Sequence, residues 1–238
     1  CIRDSYSVWR HRLGTAQRED VCVYEEADPG FFVSVARTSS RAFIVINTHD
    51  HETGEFYFIP AGSPTDMPRL VAEREEGVEY DLDHHTDSFI IRTNADGAED
   101  YKLVTAPVAA PARANWTDLV AHQEGTLVLG TDVTKDYLVR LERVEGLPRI
   151  VVREWATGQE HAIVMEEEAY ALGLGGGYEF DTGTLRFVYS SMTTPGETYD
   201  YDMATRERVL RKRQEVPSGH NPACLLYTSP SPRDWLQS

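Results

Sequence analysis

The stretch HDHETGEF, residues 49–56, sets His49, Asp50, His51 and Glu52 in a row, and DLDHHTD, residues 81–87, repeats the theme with Asp83, His84 and His85. Imidazole and carboxylate are the donors of zinc and non-haem iron centres. Other residue types invite other chemistry. Ser190 and Ser191 in YSSMTTP and Ser218 in EVPSGH carry hydroxyls, His11 and His161 carry bases, and GLGGG (173–177) has the look of a phosphate loop. Each needs a context to work. A nucleophilic serine needs a G-x-S-x-G elbow or an adjacent base, and neither accompanies these serines. The glycine run lacks the Lys-Ser/Thr and the helix of a P-loop, so it reads as a connection between strands. His11 and His161 sit at or inside strand-like runs and read as satisfied structural histidines.

The elements that would position these residues come from a repeat. RAFIVINTHDHETGEFYFI (41–59), DSFIIRTNADGAEDYKLV (87–104), DYLVRLERVEGLPRIVV (136–152) and GTLRFVYSSMTTPGETYDYD (183–202) each read as strand, polar turn, strand. A strand precedes each pair: FFVSVART (31–38), VEYDLDH (78–84), TLVLGTDV (126–133) and YALGLGG (170–176). Another follows: RLVA (69–72), TDLVAH (117–122), HAIVM (161–165) and RVLRKR (208–213). Equivalent positions Phe43, Phe89, Leu138 and Leu185 are 46, 49 and 47 residues apart. Four strands at that period are the arithmetic of a β-propeller blade. Residues 6–26 read as the last two strands of an earlier blade. The expectation is an all-β chain of about four and a half blades of a larger ring.

That frame reinterprets the histidines. THDHETGEF joins the second and third strands of its blade, where the next blade has TNADGAEDY, a plain turn. HHTD joins a first strand to a second. Those two loops lie at opposite ends of strands about 17–20 Å long, too far for one metal with bonds of about 2 Å. Both clusters are expected to be solvated turn residues. No catalytic residue, metal ligand or cofactor site is expected.

Composition bounds the rest. The 238 residues carry a formal net charge of −16, which argues against nucleic acid. An acidic surface can steer cationic ligands, and EREEGVEYD (73–81) and MEEEAY (165–170) are candidates for an acidic funnel. No apolar run has the length of a membrane span. Cys1, Cys22 and Cys224 form no disulfide framework; Cys22 reads as a buried strand thiol, and a reducing compartment is expected. RVLRKR reads as a charged edge strand.

VWRHRLGT (8–15), VYEE (23–26), EYDLDHHTDSFIIRTNADG (79–97), FVYSSMTTP (187–195) and EVPSG (215–219) resemble, in order, the propeller of the prolyl oligopeptidase family, nearest its oligopeptidase B branch. The resemblance implies a seven-bladed propeller stacked on an α/β-hydrolase domain with a Ser-Asp-His triad. It further implies cleavage of short peptides after Arg or Lys in the cytoplasm, with the propeller limiting entry. On that reading residues 1–214 are partial propeller and 215–223 a linker towards the hydrolase domain, the intramolecular partner. The triad lies outside this chain, so the chain alone is expected to be inactive. CLLYTSPSPRDWLQS (224–238) lacks alternation and resembles adaptor-derived sequence, so it is set aside. The rival readings are a prolyl-specific relative and a stand-alone propeller scaffold that binds proteins. The scaffold is disfavoured because no WD dipeptide signature recurs.

Overall fold

A computed structural model describes residues 6–176, 179–217 and 219. Strands β1 (Ser7–Arg10) and β2 (Val21–Glu25) form a two-stranded half-blade. Blade one contains β3 (Phe32–Arg37), β4 (Phe43–His49), β5 (Gly54–Pro60) and β6 (Arg69–Leu70). Blade two contains β7 (Tyr80–His85), β8 (Ser88–Thr93), β9 (Lys102–Pro107) and β10 (Thr117–Val120). Blade three contains β11 (Thr126–Val133), β12 (Tyr137–Val144), β13 (Leu147–Glu154) and β14 (Glu160–Ala162). Blade four contains β15 (Tyr170–Leu174), β16 (Thr184–Ser191), β17 (Glu197–Asp202) and β18 (Arg208–Arg213). Every neighbouring pair is antiparallel and in chain order, the meander that the repeat predicts.

Local chemistry sets the turns. Glu145 and Gly146 both take positive φ, 51° and 85°, in the two-residue hairpin between β12 and β13. That is the primed turn whose twist matches the strands. Gly175 is needed for a different reason: a Cβ there would stand 2.8 Å from Arg186 Cγ and 3.1 Å from the Arg186 carbonyl oxygen.

Side chains alternate across each strand, so a central strand buries one set against the preceding blade and the other against the following one. Phe43, Phe58 and Phe89 interlock edge to face between blades one and two, with Phe58–Phe89 centroids 4.9 Å apart. Ile90 and Leu103 meet Val128, Val133 and Leu138 between blades two and three. Val139, Ile150 and Val152 meet Leu185, Phe187 and Tyr189 between blades three and four. Burial on both faces explains why FIVI and IVV run apolar without a break. Each fully buried aromatic or aliphatic side chain contributes about 1.5–3 kcal/mol.

Two expectations need correction. Cys22 is exposed, not buried, because β2 is the outer strand of a half-blade with no covering layer. His84 and His85 belong to β7 rather than to a loop, and His84 is buried. Successive residues on a strand face opposite ways, so each histidine meets a different neighbouring blade. His84 packs on Phe43, and its Nδ1 lies 2.8 Å from Ser40 Oγ in blade one. His85 stacks on Trp155 with centroids 4.3 Å apart, and its Nε2 lies 2.8 Å from the Lys135 carbonyl oxygen in blade three.

Candidate functional site at the acidic end of the propeller

In a four-stranded meander, the loops between second and third strands share one end with the connections between blades. Hydrogen bonds across that end confirm the grouping. The Gly54 N–H donates to Val78 O, the Val128 N–H to Asp100 O, and the Gly125 N–H to Asp100 Oδ2. Both acidic stretches are inter-blade connections, so both fall at this end, with the loop of His49 and His51. Glu52, Glu73, Glu76, Glu99 and Glu168 are exposed there. The chain also reaches this end as β18 finishes, where the Gln214 N–H donates to Gly196 O at 2.7 Å.

HDHETGEF is held as a turn by its own aspartate. Asp50 Oδ1 accepts from the Glu52 and Thr53 N–H groups at 2.8 and 2.7 Å, and these bonds hold its carboxyl below the ordinary value. His49 Nδ1 lies 2.8 Å from the Asp50 carbonyl oxygen, and both histidine rings stand against Phe32. His49 and Asp50 border a cavity of about 290 Å³, with Glu79, Asp81, Arg92 and Tyr101 on its other walls. Arg92 lies 4.0 Å above the Tyr101 ring and pairs with Asp81 at 3.0 Å. Carboxylates outnumber cations around this mouth.

Some acidic groups at this end are structural. Arg74 Nη2 reaches Glu26 at 2.7 Å and Glu55 at 3.1 Å, and its guanidinium covers the Phe31 ring at 4.1 Å. Burial pushes the Glu26 carboxyl up, but donors from Arg74, Thr48 and the Asp28 N–H outweigh it and hold the pKa at about 2. Glu167 is held by hydroxyls. Ser191 and Thr194 lead in lowering its pKa to about 2, and the Thr194 and Thr193 hydroxyls donate at 2.6 and 2.8 Å. This latch fastens MEEEAY to YSSMTTP, so Ser191 is a turn-forming group: it also accepts from the Thr193 and Thr194 N–H groups. Arg113 pairs with Glu75, and Arg208 with Glu166.

The remaining nominated residues are placed one by one. His161 Nε2 lies 2.9 Å from Tyr201 Oη, and burial lowers its pKa. His11 Nδ1 lies 2.6 Å from Asp20 Oδ1 on an exposed loop. Ser218 and residues 224–238 lie outside the described residues. GLGGG begins in β15. β18 is the outer strand of its sheet, and Arg208, Arg211 and Arg213 are paired with Glu166, Asp200 and Glu197. Among the described residues, no group of three or more His, Cys, Asp or Glu side chains could hold a metal ion.

Sequence reasoning missed one Ser–His pair, Ser40 and His84. It lacks the geometry of a nucleophile. Ser40 Oγ is tied to Thr38 Oγ1 and the Ala42 N–H, and His84 is enclosed by Phe43 and Phe89. Burial lowers the His84 pKa, although a backbone hydrogen bond at Thr86 works the other way. A substrate has no path to that hydroxyl, so the pair fastens a seam.

Comparison with known proteins adds the family. Residues 2–214 match the prolyl oligopeptidase N-terminal β-propeller domain. The chain is 39% identical over 213 residues to dipeptidyl aminopeptidase BI of Pseudoxanthomonas mexicana, covering 90% of this chain and 29% of that relative. Protease 2 of Moraxella lacunata is 29% identical, over 84% of this chain and 28% of its own length. The solved oligopeptidase B of Leishmania major superposes with a TM-score of 0.84 at 32% identity, over 92% of this chain and 32% of that one. The chain therefore spans less than a third of these relatives. It belongs to the prolyl oligopeptidase family, as its N-terminal β-propeller domain.

Proposed function

We propose that this propeller gates a serine oligopeptidase that hydrolyses short peptides after Arg or Lys. The carrying observation is that exposed acidic residues gather at the end where β18 and Gln214 leave the propeller. A domain connected there faces a negative mouth that concentrates cationic peptides. Catalysis belongs to that domain, with a serine activated by histidine and an oxyanion stabilised by backbone donors. Residues 1–214 serve as propeller and 215–223 as linker, and the chain alone turns over no peptide. The sparse cysteines favour a reducing compartment, and we place the enzyme in the cytoplasm.

The relative named dipeptidyl aminopeptidase favours a second reading, removal of dipeptides from free amino termini. There the acidic mouth would meet the substrate's ammonium. The test uses the full-length protein and fluorogenic Arg peptides with free or acetylated amino termini. Cleavage of both forms supports the oligopeptidase, and cleavage of the free form alone supports the dipeptidase. A preference for Pro over Arg at the cleaved bond overturns both.

A further inference from the structure

Three blade-to-blade seams in this chain are apolar clusters. The outer face of blade four is built differently. The β16–β17 register puts Leu185, Phe187 and Tyr189 on the face towards blade three, and Arg186 and Val188 on the opposite face. Asp200 lies directly opposite Arg186. Arg186 grips it through two bonds of 2.7 and 3.0 Å, and Arg211 adds a third at 2.7 Å. Burial of Asp200 opposes these contacts, but Arg186 first and Arg211 second keep its carboxyl below the ordinary value. Both arginine side chains remain more than half exposed, at 53% and 57%. Beside this ladder runs a groove of about 920 Å³, lined by Gly173, Val188, Thr198 and Lys212. Arg186, Arg211 and Lys212 outnumber Asp200 and Asp202 in a chain whose net charge is −16.

We propose that this face is the closing seam of the propeller ring, taking an acidic face of another blade of the same propeller through ion pairs rather than an apolar cluster. A ring needs each blade face covered by a neighbour. A locally basic face in an acidic protein selects an acidic neighbour, because like charges set opposite each other cost free energy. Exposed ion pairs are weak and salt-screened, so this seam loosens at salt concentrations that leave the apolar seams intact. The inference rests on the reading of this chain as part of a longer, ring-closing peptidase.

The three lysines, Lys102, Lys135 and Lys212, make the test clean. Amine acylation by an N-hydroxysuccinimide ester, followed by mass spectrometry, is run on the full-length protein and on the 238-residue chain. Lys135, 55% exposed, is the internal reference. The proposal expects Lys212 in the full-length protein to react at least about fivefold more slowly than in the short chain at 50 mM NaCl, the factor carried by one good surface ion pair. That protection should fall severalfold at 0.5 M NaCl. Equal reactivity in both proteins, or protection indifferent to salt, overturns it. The double variant Arg186→Glu, Arg211→Glu should abolish protection at low salt, while the salt series on the wild-type protein stands without it. Arg-peptide turnover in the same samples reports on the proposed activity separately, so either idea can fail alone.

Discussion

Replacing Arg74 by Met keeps most of the aliphatic stem over Phe31 but removes the one cation shared by Glu26 and Glu55. Those carboxylates are 6% and 7% exposed, so they cannot recover full hydration in place. The Glu26 pKa lies at about 2 against an ordinary 4.5. That difference corresponds to roughly 3 kcal/mol of stability present at neutral pH. Arg74 supplies the largest of the lowering contacts, and some loss is relieved by local opening. The expected cost at pH 7 is therefore about 2–3 kcal/mol, or about 4–12 °C in a domain of this size. The sign with pH follows from a depressed folded pKa: the stabilisation is complete above about 4.5 and is lost as pH falls towards 2. In Arg74→Met the Glu26 pKa rises, so the decline between pH 5 and pH 2 becomes shallower than in the wild type. Urea titrations of the 238-residue chain at pH 7, 5 and 3 read both effects. A cost below about 0.5 kcal/mol at pH 7 with an unchanged pH slope would refute the reasoning, since that is the value of an ordinary surface pair.

Other outcomes follow from single contacts. Phe187→Ala, in the seam of blades three and four and stacked on Tyr199, should cost about 3–5 kcal/mol in urea unfolding. Gly175→Ala must push against the Arg186 backbone and should cost about 1–3 kcal/mol, read from the thermal midpoint. Burial, followed by the charge of Asp83, raises the Asp132 pKa. Stability from such a group is present below the unfolded pKa and lost as pH rises through the folded one. Asp132→Asn should therefore raise the thermal midpoint at pH 7 and leave it unchanged at pH 3. Cys22 should react with a maleimide in the native state, read by peptide mapping.

The blade architecture was legible because strand alternation, turn residues and a repeat near 47 residues are local signals. HDHETGEF was legible as a turn for the same reason: the matching loop one blade later carries only Asn94, Asp96 and Gly97 as punctuation. The roles of His84 and His85 were not. Ser40 is 44 residues from His84, and Lys135 is 50 from His85. Whether a strand residue meets water or a neighbouring blade depends on a partner the local pattern does not name. Cys22 misled for a related reason, since an apolar strand run reads as buried until its strand proves to be an uncovered edge. The acidic stretches were visible one at a time. That they share an end with His49, His51 and the outgoing chain follows only from the parity of connections in the meander.

The central claim is that the acidic end of this propeller draws cationic peptides towards catalysis. The most direct measurement is kcat/KM of the full-length protein for an Arg peptide and a matched neutral peptide, from 20 to 500 mM NaCl, with and without Glu73→Gln, Glu76→Gln and Glu168→Gln. These residues are exposed connection side chains, so the substitutions leave the fold intact. The account predicts that kcat/KM for the Arg peptide falls about tenfold with salt, that the triple variant lowers it at low salt and flattens the slope, and that the neutral peptide changes little. Salt dependence that is flat for both peptides, or equal in the variant, would contradict it.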